Sequence, residues 1–340
     1  MYETMSRILI TGVAGFLGSH LADSLIQADH EVIGCDNLLG GSKDNVPDDV
    51  EFHEADCNNI SKMKDLTENV EVVYHAAAVA TEGLSVFSPS MVTKHVYQNS
   101  ASVISAACEN DVERFVYMSS MARYGEKDIP FTEETPAEPE DPYGLAKVAA
   151  EDLLKMMGRT HGMDWSIAVP HNIIGPRQKF DDPFRNVVAI FANRMLQGKQ
   201  PIIYGDGEQK RCFSDVEDCI QCLEKMGFSD EAEGEVINIG PDEEENFITI
   251  NQLAEHIAQI VDLELDPIYV GERTNEVKVA HCSADKARDL LNYETQWGLK
   301  ESLQKEVQWI RQVGPQQFDY LYDLEIVNEK TPRTWTDELI

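Results

Sequence analysis

Residues 7–18 read RILITGVAGFLG: a short β-rich apolar run, then glycines at 12, 15 and 18, then a helical pattern continuing through SLIQA at 24–28. Glycines in the spacing GxxGxxG permit a tight turn and let a pyrophosphate approach the backbone, facing the amides and dipole of the helix N-terminus. The next β-rich run, HEVIGC (30–35), leads to Asp36, eighteen residues beyond Gly18. A carboxylate there can accept both adenosine ribose hydroxyls and repels a 2′-phosphate, so the expected ligand is NAD rather than NADP. Outward from this turn, VEFHE (50–54), VEVVYHAA (70–77), RFVYMSS (114–120), WSIAVP (165–170) and EVINIG (235–240) follow as strand candidates, several separated by helical stretches such as VYQNSASVISAACE (96–109). The alternation predicts an α/β fold, a doubly wound parallel sheet wrapped by helices on both faces.

The pattern changes at PRQKFDDPFRN (176–186), irregular and polar, ahead of the helical VVAIFANRMLQG (187–198). The expected organisation is a nucleotide-binding domain over 1–176, rejoined by about 211–242. A smaller α/β substrate-binding domain takes 177–210 and 243–313, and 314–340 is an irregular tail with no evident role.

The chain of 340 residues carries 61 acidic and 28 basic side chains, a formal charge of −33. That balance excludes nucleic acid and anionic membrane as partners. Any phosphate-bearing ligand needs arginines and helix N-termini to reverse the field locally. No run approaches the ~20 apolar residues of a membrane span. The opening MYETMSRILITG lacks a secretory pattern, so a cytoplasmic protein is expected. Seven cysteines cannot all pair within one chain, so reduced thiols are expected. Cys219 and Cys222 form a CxxC, but VEDCIQCLEKM (216–226) reads as an amphipathic helix, and no second pair stands at zinc spacing. The expectation is core packing and no metal.

EDPYGLAKVAAEDLL (140–154) places Tyr143 and Lys147 four apart, on one helix face. A free phenol ionises near pH ~10. A neighbouring ammonium and a nicotinium charge favour the phenolate, making it a base usable near neutrality. Upstream, the run ending in RFVYMSS supplies Ser120, a hydroxyl that completes a relay between substrate and tyrosine.

These residues resemble the extended short-chain dehydrogenase/reductase family, a Rossmann fold, in particular its NAD-dependent nucleotide-sugar epimerases and dehydratases of the UDP-galactose 4-epimerase type. The resemblance covers about residues 6–312 and rests on TGVAGFLG, HAAA (75–78), SSMARYG (119–125), YGLAK (143–147), HNIIGP (171–176), YGDGEQKRCFSDVED (204–218) and NIG (238–240). It implies that Tyr143 is the base, Ser120 assists, and Lys147 holds the nicotinamide ribose. NAD would lie against Gly12, Gly15, Phe16, Leu17, Gly18, Asp36, Asn37, Asp56, Cys57, Ala76, Ala77, Ala78 and Asn99, with Tyr143 and Lys147. Asp56 reads equally as a turn residue. Ser120, Met121, Asn172, Arg211, Arg273 and Ala280 would face a UDP-sugar, Asn172 and the two arginines taking the diphosphate. The implied partner state is a homodimer joined through the helical stretches 96–109 and 143–157, although a buried core face explains the same pattern.

Departures narrow the reaction. The dehydratases resembled usually carry two acidic residues after the serine or threonine, and the decarboxylases a glutamate at the second of those positions. Here stand Met121 and Ala122, which move no proton. The resemblance then implies 4-epimerisation through a transient 4-keto sugar, with a dehydratase, decarboxylase or 4-ketoreductase as rivals. A noncatalytic NAD sensor is the distant alternative, and Tyr143 and Lys147 argue against it. The small Ala280 suggests room for UDP-N-acetylhexosamine beside UDP-glucose, unless it is strand packing. VPHN (169–172) replaces an arginine-containing run, and Cys212 a common aspartate.

Overall fold

The computed structural model describes residues 5–243, 246–273 and 276–340. The strand β1 (Arg7–Thr11) points Ile8 and Ile10 into one apolar cluster and Leu9 into another, as a two-residue period demands of a strand buried on both faces. It is joined by β2 (Glu31–Asp36), β3 (Glu51–Glu54), β4 (Val72–His75), β5 (Arg114–Met118) and β6 (Asp164–Pro170). With the strand Val236–Ile239 they form a seven-stranded sheet in the order Val236–Ile239, β6, β5, β4, β1, β2, β3, parallel at every pairing. The order reverses at β1, between β2 and β4, and the crevice at the strands' carboxyl ends there is where such sheets take ligands.

One face is covered by the helices Phe16–Gln27 and Val216–Met226, through Leu21, Leu25, Ile220 and Leu223. The other is covered by Ile60–Leu66, Asn99–Glu109 and Pro142–His161, through Met63, Val103, Ala150 and Leu154. Cys219 and Cys222 sit in the first of these cores, and all seven cysteines are unpaired. The fourth strand ends at His75, two residues before the expected limit, because the chain then leaves the sheet to become a wall of the crevice.

A third apolar cluster joins the helices Val187–Leu196, Ile250–Val261 and Leu299–Val313 through Phe191, Leu253, Ile257, Leu303 and Val307. Truncating a buried leucine such as Leu303 typically costs about 2–5 kcal/mol. The second of these helices starts on a capping box. The Thr249 hydroxyl accepts from the Gln252 amide at 3.1 Å, and the Gln252 side chain accepts from the Thr249 amide at 2.9 Å. Short strands line this region: Lys210–Cys212 pairs antiparallel with Phe247–Thr249 and parallel with Val279–Ala280, and Ile202–Tyr204 pairs with Ile268–Val270.

The tail is ordered by specific contacts that its irregular sequence does not announce. Trp335 packs edge-on against Phe87 and Phe184, with ring centres 5.8 and 5.2 Å away. The Glu325 carboxylate accepts the amides of Ser90 and Met91 at 2.9 and 2.7 Å. Among the described residues no helix is long and apolar enough to cross a membrane.

Candidate active site

A cavity of about 500 Å³ opens at the crevice. It is lined by every residue expected to face cofactor or substrate except Met121 and Ala280.

At one end lies the glycine turn. Gly12 has φ +75°, and a Cβ there would stand 2.7 Å from the Ala77 nitrogen. A Cβ on Gly18 would stand 2.2 Å from the Gly12 carbonyl oxygen, so the helix could not pack so tightly on the turn. Gly15 meets only that same oxygen, at 3.1 Å, and turns its bare face to the cavity. This is the close approach a pyrophosphate needs, so the turn fits a dinucleotide. Asp36 accepts the amides of Ala14 at 3.1 Å and Leu38 at 2.8 Å, bracing the turn with part of its acceptor capacity. Burial raises its carboxyl, and the backbone amides oppose the shift. His75 is a structural tie: its nitrogens meet the hydroxyls of Thr11 at 2.7 Å and Ser100 at 3.0 Å, and burial drives it down to about 3, hence neutral. Asn99 donates to the carbonyls of Ala77 at 3.0 Å and His95 at 2.7 Å, holding the alanine wall in place.

At the centre stands Tyr143, only 7% exposed, at the start of the helix Pro142–His161. Asp141 caps that helix by accepting the Gly144 amide at 2.9 Å. Ser120 lies beside the phenol and favours its ionised form, while its Oγ accepts the Ala122 amide at 3.2 Å. Lys147 Nζ donates to the Met118 carbonyl at 2.6 Å and lies 5.8 Å from the Tyr143 ring centre. Burial holds Lys147 down to about 7, against the opposing pull of Glu151. Glu151, one turn along the helix, is wholly buried and held by Arg123 through two bonds of 3.0 Å.

In the protein by itself the surroundings of the phenol favour its protonated form. Burial raises Tyr143 most, Glu82 and Asp141 raise it further, and Ser120 and Arg185 work the other way. Desolvation of an anion outweighs what these neighbours supply.

At the far end, Asn172 has φ +21° and donates to the Cys212 carbonyl at 2.9 Å. Arg211 donates to the carbonyls of Val277 at 2.6 Å and Lys210 at 2.9 Å. Arg273 lies over the Tyr204 ring at 4.8 Å and pairs with Glu276 at 2.6 Å. Met121 opens a short 3₁₀ turn and packs against the second core cluster. Ala280 is buried in that same cluster, beside β-paired Arg211, so its methyl does not set the size of the cavity.

Sequence reasoning missed Glu82, Asp141, Arg185, Trp335 and Ile340, all of which line the cavity. Asp141 is raised to about 7 by burial and by Glu82. Arg185 is held by Asp182 at 3.1 Å. The Asp-Pro pair before Tyr143 was a readable cap signal, but nothing local marks the other four.

The model of the NAD dependent epimerase/dehydratase family matches residues 8–240. The chain belongs to that family. A putative UDP-glucose 4-epimerase of Methanocaldococcus jannaschii is 33% identical over 314 residues, covering 89% of this chain and 98% of that protein. The crystal structure of Thermotoga maritima UDP-glucose 4-epimerase with UDP-glucose superposes with a TM-score of 0.84 at 32% identity, over 90% of this chain and 99% of that one. Thermus thermophilus UDP-glucose 4-epimerase in complex with NAD gives a TM-score of 0.83 at 27% identity, over 90% and 99%.

Proposed function

We propose that this protein is an NAD-dependent UDP-sugar 4-epimerase. The observation that carries the reading is Tyr143, buried in the cavity with Ser120 nearby and Lys147 beside its ring, between the glycine turn and the wall of Asn172, Arg211 and Arg273. Gly12, Gly15, Gly18 and Asp36 would hold the dinucleotide, which supplies the hydride acceptor and donor at C4 together with a positive charge. That charge and the Lys147 ammonium would together favour the ionised phenol. Tyr143, once ionised, accepts the 4-hydroxyl proton and later returns it, and Ser120 keeps the phenol oxygen and the sugar oxygen in line. Asn172, Arg211 and Arg273 anchor the diphosphate, so only the 4-keto sugar turns over between proton removal and return. Net redox change is zero. Remote binding energy spent on the nucleotide thereby retains the reactive intermediate.

A second reading, loss of water or carbon dioxide, has one observation in its favour: Glu82 and Asp141 bring to the cavity the carboxyl groups that positions 121 and 122 lack. Incubating purified protein separately with UDP-glucose, UDP-N-acetylglucosamine and UDP-glucuronate, then determining product mass and C4 configuration, decides between them. A product of unchanged mass and inverted C4 is expected; one lighter by water or carbon dioxide establishes the second reading instead.

The proposal includes a two-part organisation, with the nucleotide sugar held between the large sheet and residues 177–210 and 243–313. It also includes a homodimer, supported by Leu145 and Met156, which stand 61% and 56% exposed on the helix Pro142–His161. A cytoplasmic location accords with seven unpaired cysteines.

A further inference from the structure

His171 follows β6, Cys212 ends the strand Lys210–Cys212, and His281 follows the strand Val279–Ala280. Their ligand atoms lie within 4.8 Å of one another. His171 and Cys212 are wholly buried and absent from the cavity wall, so the cluster sits behind the active site. Neither ring nitrogen of His171 has a hydrogen-bond partner, and neither does Nδ1 of His281. A buried polar atom with no partner is costly, which points to a partner at this spot. The Cys212 thiol donates to the Pro241 carbonyl at 2.9 Å. His171 and Cys212 are also two of the positions where this sequence departs from the pattern it resembles. Two imidazoles and a thiol, converging from three strand ends and aimed at one point, are a donor set suited to zinc.

We propose that His171, Cys212 and His281 bind one zinc(II) ion in a structural site behind the substrate wall. Binding forms a bond from the metal to the Cys212 sulfur and breaks the S–H bond, the proton passing to solvent; both imidazoles enter neutral. Asn172 follows His171 and is bonded to the Cys212 carbonyl, and Arg211 precedes Cys212. The ion would therefore fix the two strand ends that carry these residues. The site itself does not depend on the proposed reaction.

The test uses full-length, tag-free protein, loaded with zinc(II), desalted and assayed by elemental analysis. One equivalent per chain is expected, falling at least fivefold in Cys212→Ser and in the partly exposed His281→Gln, each verified as folded by circular dichroism. Cobalt(II) in place of zinc should give a thiolate charge-transfer band in the wild type that Cys212→Ser lacks. Zinc should also raise the thermal midpoint of the wild type and leave that of His281→Gln unmoved. Wild-type metal content no higher than that of His281→Gln, or a cobalt thiolate band that persists in Cys212→Ser, overturns the proposal.

Discussion

Lys147 Nζ donates to the Met118 carbonyl at 2.6 Å, which ties the carboxyl end of β5 to the helix that carries Tyr143. The bond fixes both the lysine and the sheet end that bears Ser120. Replacing Lys147 by Met removes the bond and the ammonium 5.8 Å from the Tyr143 ring centre, and it leaves Glu151 to Arg123 and Lys155. Turnover should fall by about 10²–10⁴, the usual share of positioned proton transfer. Steady-state kinetics with the preferred UDP-sugar checks this; a variant within tenfold of wild type would show that the lysine only packs.

Tyr143→Phe keeps the ring, which packs with Val92, Val96 and Ala146, and loses only the hydroxyl. The thermal midpoint and the NAD content of the purified protein should stay at wild-type values while activity drops below about 10⁻³ of normal. Near-normal activity with intact NAD would remove tyrosine from the base's role.

Gly18→Ala places a methyl carbon 2.2 Å from the Gly12 carbonyl oxygen, a backbone atom that cannot turn aside. The helix Phe16–Gln27 must shift away from the turn, at a cost of about 1–3 kcal/mol. Urea unfolding should move by that amount, and NAD should no longer copurify. A variant that retains stoichiometric NAD would mean that the turn tolerates the shift.

Glu306 is wholly buried and accepts the Gly175 amide at 3.1 Å through one oxygen, while the other oxygen has no partner. Burial raises this carboxyl from 4.5 to about 8. Because the folded value lies above the unfolded one, the native state holds a proton that the unfolded chain has released, and stability is lost as pH climbs from 4.5 to 8. Glu306→Gln keeps an acceptor for Gly175 without the charge. It should match wild type below pH ~4.5 and exceed it by on the order of 1–3 kcal/mol above pH ~8. Denaturant titrations at both ends of this range read the difference, and equal wild-type and variant stability at alkaline pH would contradict the assignment.

Much of this molecule was readable because its signals are local. Ile8, Leu9 and Ile10 alternate between two cores as any strand covered on both faces must. Gly12, Gly15 and Gly18 are needed because the turn has no room for side chains. Tyr143 and Lys147 share a face because a helix repeats every 3.6 residues. Asn172, Arg211 and Arg273 line the cavity from a loop, a short strand and another loop, each within a stretch that has its own signature.

What depended on the tertiary structure involves groups remote in the chain. The elevated Tyr143 phenol follows from burial and from Glu82, sixty-one residues away. Ala280 turns into the core because its strand pairs with Lys210–Cys212. Trp335 and Ile340 reach the cavity because aromatic packing on Phe87 and Phe184 folds the tail back. His171, Cys212 and His281 converge only when three strand ends are brought together. Sequence spacing reports neighbours along one element, whereas charge, desolvation and ligand geometry depend on distances that close only when the whole chain packs.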